Sequence, residues 1–173
     1  MLANVLGAAA AASLAGAGRA AIAGAIAAFA GVPHRLETVI ERGGVRWVND
    51  SQATIPLASI AALEAFDGPV VLIAGGQGMG LDYGSFADAI VRRCRAAVLI
   101  GETAGELEGL IGGRVAVHRA SSMAEAVGMA AGVALPGDVA LLSPAAASFD
   151  MFADYAARGD AFRAAVADLE AAP

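Results

Sequence analysis

The residues best suited to chemistry stand together in the segment Asn49-Asp50-Ser51-Gln52-Ala53-Thr54, directly after the apolar run Val45–Val48. Valine and tryptophan favour a half-buried strand, whereas Asn, Asp, Ser and Thr bond nearby backbone groups and favour a strand end. In open α/β sheets, ligands bind outside the carboxyl ends of the strands. We therefore expect Asp50, Ser51 and Thr54 to present carboxylate and hydroxyl groups to a ligand.

A helix start is the alternative explanation for these polar residues. Ser51 or Thr54 would then cap a helix predicted over Leu57–Phe66. Cap chemistry alone does not decide between the two interpretations.

Two other buried strands are predicted to end in segments with binding chemistry. The strand Pro69–Ala74 opens into the glycine loop Gly75–Gly80, whose N–H groups would approach an anion closely. A tight turn without a ligand is the alternative there. The strand Val139–Leu142 ends at the polar segment Ser143–Asp150. The right-handed crossover rule places all three strand ends on one side of the sheet.

The alternation of short apolar runs and helical segments predicts an α/β fold with a Rossmann-like, mostly parallel sheet and helices on both faces. An Ala-rich helical pair, Leu2–Leu14 and Arg19–Phe29, precedes it.

Neither GxGxxG nor GxxxxGK[ST] occurs, so no dinucleotide fingerprint or P-loop is present. The other predicted elements are strand Thr38–Glu41, paired through Gly43-Gly44 with Val45–Val48, helices Phe86–Cys94 and Thr103–Ile111, strands Ala96–Gly101 and Arg114–His118, a helix capped at Ser121–Glu125 and ending at Val133, and helix Asp160–Ala171.

Composition excludes several classes of protein. A net charge of −6 argues against a protein that follows nucleic-acid phosphates. A single cysteine, Cys94, rules out an internal disulfide, and the absence of Cys/His pairs at metal spacing argues against a zinc site. Leu2–Gly18 has no preceding Lys or Arg, as a signal peptide would require, and carries too little transfer energy for a membrane span. The cysteine usage favours a reducing cytoplasm, so we expect a cytoplasmic protein without membrane contact. His34 and His118 have no partner in sequence, which favours surface or strand-end roles.

With these motifs in view, the chain resembles the carboxyl-terminal domain of the Mur ligases, most closely those that add D-glutamate. On this resemblance, residues 1–31 correspond to the terminal helices of a truncated central ATP-binding domain and residues 32–173 to the amino-acid-binding domain. The family's P-loop would lie upstream of Met1, so we expect the chain to begin partway through a longer protein. The resemblance rests on Gly31–Glu37, Asn49–Thr54, Gly75-Gly76 with Leu81-Asp82-Tyr83, Leu141–Phe152 and Arg158-Gly159.

The resemblance implies an ATP-dependent amide ligase of peptidoglycan synthesis and cell-wall biogenesis, acting on D-glutamate and a UDP-linked muramoyl substrate. ATP and Mg²⁺ would be held mainly by the central domain, which is expected, with the amino-terminal domain, to be the partner of this part. The residues implied for ATP are Asn4, Arg35 and Asp50, and those implied for D-glutamate are Thr54, Ser148, Tyr155 (through its backbone), Met79 and Gln52.

The chain departs from the family pattern at two of these positions. The family usually has lysines where this chain has Gln52 and Met79. Losing a charge-assisted hydrogen bond costs about 1.5–3 kcal/mol, which puts D-glutamate specificity in doubt. A non-catalytic binding or regulatory module derived from a Mur ligase is therefore the alternative function. A generic Rossmann-like oxidoreductase is a third, which the failed GxGxxG spacing disfavours.

Overall fold

The structure, a computed structural model, describes residues 2–169, and the chain forms two compact units. The first extends from the amino terminus to Val32 and the second begins at Pro33. The first unit consists of helices α1 (Leu2–Leu14) and α2 (Arg19–Ala28). Its Ala-rich helical pair agrees with the prediction, and α2 has no buried residue.

The second unit is built on a six-stranded sheet in the order β1-β2-β6-β3-β4-β5. Strands β1 and β2 pair antiparallel, and all other neighbours pair parallel. This confirms the predicted α/β fold class. Its elements are β1 (Glu37–Arg42), β2 (Val45–Asn49), α3 (Pro56–Glu64), β3 (Val70–Gly75), α4 (Gly84–Arg93), β4 (Cys94–Ile100), α5 (Ala104–Ile111), β5 (Ala116–Arg119), α6 (Met123–Val133), β6 (Val139–Leu142) and α7 (Tyr155–Asp168).

The sheet is covered by helices on both faces, as its apolar strands predict. Side chains of a strand alternate between faces, and the fully buried β3 illustrates this. Val70, Leu72 and Ala74 pack with residues of α3, α4 and α5. Val71 and Ile73 pack on the other face with residues of α6 and α7. The two cores hold the central strands rigidly in the middle layer.

The carboxyl ends of β2, β6 and β3 lie side by side. Leu142 at the end of β6 pairs with Asn49 of β2 on one side and with Ile73 of β3 on the other. Main-chain bonds continue this alignment past the strands, because the Asp50 N–H donates to the Leu142 carbonyl at 2.8 Å and the Ser143 N–H donates to the Ile73 carbonyl at 3.1 Å. The predicted convergence of the three strand ends is confirmed.

The start of α3 excludes the alternative in which Ser51 or Thr54 caps this helix. The N-cap is Ile55, which makes no side-chain cap bond, and Pro56 occupies the first helical position. Proline suits that position because its missing N–H would have no helical partner there. The polar residues of the 49–54 segment are therefore left for other contacts.

The last helix, α7, begins at Tyr155 rather than at the predicted Asp160. The Asp154 side chain is the N-cap and accepts a hydrogen bond from the Ala157 N–H at 2.7 Å. Because Asp154 satisfies an N–H group of the first turn, α7 begins five residues before the predicted start. The predicted end at Ala171 lies outside the described residues.

Gly159 of α7 lies against the end of β2. A β-carbon at this position would overlap the ring of His34 and come within 3.0 Å of Asn49 Nδ2. The backbone of α7 therefore approaches β2 as closely as it does only because residue 159 has no side chain.

We expect Gly159→Ala to lower the free energy of unfolding by roughly 1–3 kcal/mol, since overpacking forces neighbouring groups apart. The matched control is Gly128→Ala on α6, where nothing lies within 4 Å of the added carbon. This control should leave stability unchanged or raise it by about 0.5–1 kcal/mol through helix propensity. Urea denaturation measures both, and equal losses in the two variants would contradict the assignment.

Candidate functional site

Asp50 lies at the centre of the converging strand ends and is 5% exposed. Its Oδ1 accepts from the Leu36 N–H at 3.0 Å, and its Oδ2 accepts from Ser143 Oγ at 2.8 Å. Burial raises the pKa of the carboxyl, while the bonds from Ser143 and Leu36 and the charge of Arg35 offset part of that rise. Asp50 thus joins the segment before β1 to the ends of β2 and β6.

Arg158 of α7 is fully buried against two of the strand-end loops. Its Nε donates to Ser51 Oγ at 3.0 Å and its Nη2 to the Ser51 carbonyl at 2.9 Å. Its Nη1 donates to the carbonyls of Ala146 and Ala147 at 3.0 and 3.2 Å. Burial lowers the pKa of Arg158 to about 10, partly offset by the negative charge of Asp150. The guanidinium therefore remains charged near neutral pH and ties the two loops together.

The glycine loop is a tight turn rather than an open anion cradle. Gly75 and Gly76 have positive φ angles of 107° and 148°, and a β-carbon at either would overlap the carbonyl oxygen of Ile100 or Ala147. The N–H groups of residues 75–78 are all engaged within the chain. They donate from Gly75 to the Pro144 carbonyl at 2.8 Å, Gly76 to Thr103 Oγ1 at 3.2 Å, Gln77 to the Ala147 carbonyl at 2.9 Å and Gly78 to Glu102 Oε2 at 3.3 Å.

The predicted hydroxyl and backbone groups lie on loops that the main chain holds together. The Ala145 N–H donates to the Ala53 carbonyl at 2.9 Å, next to the half-buried Thr54. Ser148 is 2% exposed. The Tyr155 carbonyl accepts from Ser51 Oγ at 2.7 Å, so this carbonyl is already bonded within the chain.

The two positions that lack the family's lysines differ in their surroundings. Gln52 is half-buried, and its Oε1 is a buried acceptor that has no hydrogen-bond partner among the described residues. An unpaired buried polar group costs about 1–3 kcal/mol. Met79 is 60% exposed on the glycine loop and offers no hydrogen bond.

The three residues implied for ATP are divided between the two compact units. Arg35 is exposed, and its charge acts on Asp50. Asn4 is exposed on α1, in the first compact unit. Both oxygens of Asp50 already accept bonds within the chain.

His34 supports the end of β2. It is 7% exposed, with a left-handed backbone at φ 60°, and its Nδ1 lies 3.0 Å from Asn49 Nδ2. Its carbonyl accepts from the Gln52 N–H at 3.0 Å. His118 is half-buried on β5. The predicted strand-end role therefore fits His34.

Possible metal ligands and membrane spans were sought among the residues that the structure describes. No group of three or more His, Cys, Asp or Glu side chains there is arranged to hold a metal ion. No helix there has both the length and the apolar character needed to cross a bilayer.

Solved structures with a similar fold include two ligases. Mycobacterium tuberculosis folylpolyglutamate synthase, solved in complex with ADP, matches with a TM-score of 0.66 and 16% identity over 87% of this chain and 36% of that one. A murein peptide ligase from Psychrobacter arcticus matches with a TM-score of 0.54 and 20% identity over 83% of this chain and 33% of that one. At such identities, these matches establish the fold alone.

Sequence comparison identifies the family. The family model described as "Mur ligase, glutamate ligase domain" matches residues 34–146. The UDP-N-acetylmuramoylalanine--D-glutamate ligase of Nitrosococcus oceani is 46% identical over 170 residues, which are 97% of this chain and 38% of that protein. The ligase of the same name from Marinobacter nauticus is 49% identical over 144 residues, covering 82% of this chain and 32% of that protein. The chain thus spans about a third of the length of these curated relatives, and it belongs to the Mur ligase family.

Proposed function

We propose that this chain is the amino-acid-binding part of an ATP-dependent ligase that adds D-glutamate to UDP-N-acetylmuramoyl-L-alanine in cytoplasmic peptidoglycan synthesis. Residues 1–31 would be the last helices of the central ATP-binding domain, and residues 32–173 the carboxyl-terminal domain. The convergence of three strand ends beside the buried Arg158 carries the proposal. It brings segments 50–54 and 143–148 together at the carboxyl ends of the strands.

The reaction requires activation of a carboxylate, which is a poor acyl electrophile at neutral pH. ATP would convert the alanine carboxylate of the UDP-linked substrate to an acyl phosphate, and the D-glutamate amine would attack it with phosphate leaving. The residues of this chain would bind and orient the incoming amine, which lowers the barrier by fixing the reacting atoms in place.

The amino acid would be held by neutral donors and acceptors. We assign the hydroxyls of Thr54 and Ser148 and the backbone around Tyr155 to its two carboxylates. The side-chain amide of Gln52 would donate a neutral hydrogen bond to the amino acid. The buried Arg158 would contribute positive electrostatic potential to the site without contacting the substrate.

The nucleotide would be held mainly by the rest of the longer protein, with Asn4, Arg35 and Asp50 adding contacts from this chain. The loop at Gly75–Gly78 does not fit a phosphate, since each of its N–H groups already has an acceptor. The described residues likewise offer no cluster suited to Mg²⁺. Phosphate and metal binding are therefore assigned to the central domain.

A non-catalytic binding module derived from a Mur ligase is the second candidate. The absence of lysine and arginine from the strand-end segments 49–54, 75–80 and 143–152 favours it, because a dianionic amino acid would meet no exposed cation there. Turnover by the full-length protein separates the two functions.

The chain alone should not hydrolyse ATP, because the groups that would cradle phosphates and hold Mg²⁺ lie outside it. The measurement is phosphate release by residues 1–173, with the full-length protein and both of its other substrates as the positive control. Hydrolysis that follows this chain through every purification step would contradict the assignment of phosphate binding to the central domain.

In the full-length protein, Met79→Lys should strengthen D-glutamate binding by roughly 1–2 kcal/mol, because it adds a cation beside a carboxylate. The gain should shrink as salt is raised. Met79 is 60% exposed, so lysine fits without repacking. Gln52→Lys should change turnover more than affinity.

The matched control is Leu135→Lys, which adds the same charge far from the glycine loop. Leu135 is 51% exposed and lies just before the amino end of β6. Michaelis and dissociation constants are measured with D-glutamate, L-glutamate and D-aspartate. If Met79→Lys and Leu135→Lys behave alike while the wild type is fully active, another group holds the carboxylate and the glycine loop is not part of the site.

A further inference from the structure

A polar cavity lies at the amino ends of β3 and β4, opposite the strand-end site. Its volume is about 410 Å³, which is within the range of small-molecule sites. Its lining includes three arginines within four residues, Arg92, Arg93 and Arg95, together with Asp67 and Cys94. This concentration of positive charge stands out in a chain whose net charge is −6.

Two of these arginines are held in place by the protein. Arg93 Nε donates to the Leu63 carbonyl at 3.4 Å, and its Nη2 donates to the Phe66 carbonyl. Arg95 Nε and Nη2 donate to the Asp138 carboxylate at 2.6 and 3.0 Å. In both side chains, Nη1 has no bond to a described residue. Ordering of this kind reduces the entropy lost when a ligand is bound.

The third arginine and the cysteine complete the electrostatic argument. Arg92 is exposed and bonds to no described residue. Burial raises the pKa of the Cys94 thiol to about 12, so the thiol stays neutral and does not repel an anion. Asp67 and Asp138 cancel two of the three positive charges, which leaves a net cationic site.

We propose that this cavity binds a small phosphorylated anion, with Arg92 as the main contact and the Nη1 groups of Arg93 and Arg95 as fixed donors. The proposal is independent of the proposed ligase function. The six residues of β3 separate this cavity from the strand-end site by about 17–20 Å, so one ligand does not span both.

The test is calorimetric titration of the 173-residue chain with pyrophosphate at low ionic strength. Saturable binding is expected, and Arg92→Gln should weaken it roughly three- to tenfold. The control Arg19→Gln makes the same charge change at an exposed arginine of α2 and should have no effect. Asp67→Asn should tighten binding, because it removes an opposing charge.

The amide resonances of Asp67, Gly68 and residues 92–95 should shift during the titration, while thermal melting checks that each variant is folded. The proposal is overturned if the wild type shows no saturable binding, or if Arg92→Gln and Arg19→Gln have the same effect. Amide shifts confined to residues 50–54 and 145–148 would overturn it as well, since the anion would then occupy the strand-end site.

Discussion

The buried charge of Arg158 is the constraint on which the strand-end site depends. Removing a cation from water costs several kcal/mol, and the charge of Arg158 is tolerated because each of its three side-chain nitrogens donates to an acceptor. Those acceptors are the Ser51 hydroxyl and carbonyl and the carbonyls of Ala146 and Ala147. Since they belong to the loops after β2 and β6, neither loop can move away without leaving the guanidinium unpaired. The loops are therefore preorganised before any ligand arrives.

This arrangement separates the scaffold from the groups that would choose a substrate. Main-chain atoms and buried side chains hold the loops, whereas Met79 is exposed and Gln52 is half-buried. Substitution at these two positions leaves the contacts of Arg158 and Asp50 untouched.

Local pattern predicted much of the fold, and long-range contacts account for most of what it missed. Helix α1 and strand β6 have their predicted bounds, and the predicted cap of α6 is present, since Ser122 Oγ accepts from the Glu125 N–H at 3.2 Å. The reciprocal bond of a capping box is shifted by one residue, because Glu125 Oε2 accepts from the N–H of Ser121 rather than of the N-cap Ser122. The sequence left open whether Ser51 caps a helix. Its actual partners, Tyr155 and Arg158, lie 104 and 107 residues away in the chain, so local pattern does not reveal them. The role of Arg158 was not predictable for the same reason, since an arginine in an Ala-rich helix usually faces solvent.

The most direct test of the strand-end site is to titrate the isotope-labelled chain with D-glutamate and to follow its backbone amide resonances. The account predicts shifts at residues 50–54, 77–79 and 146–155, with Asp67, Gly68 and residues 92–95 unchanged. Shifts confined to other parts of the chain would contradict it. So would the absence of any shift at D-glutamate concentrations that saturate the full-length enzyme.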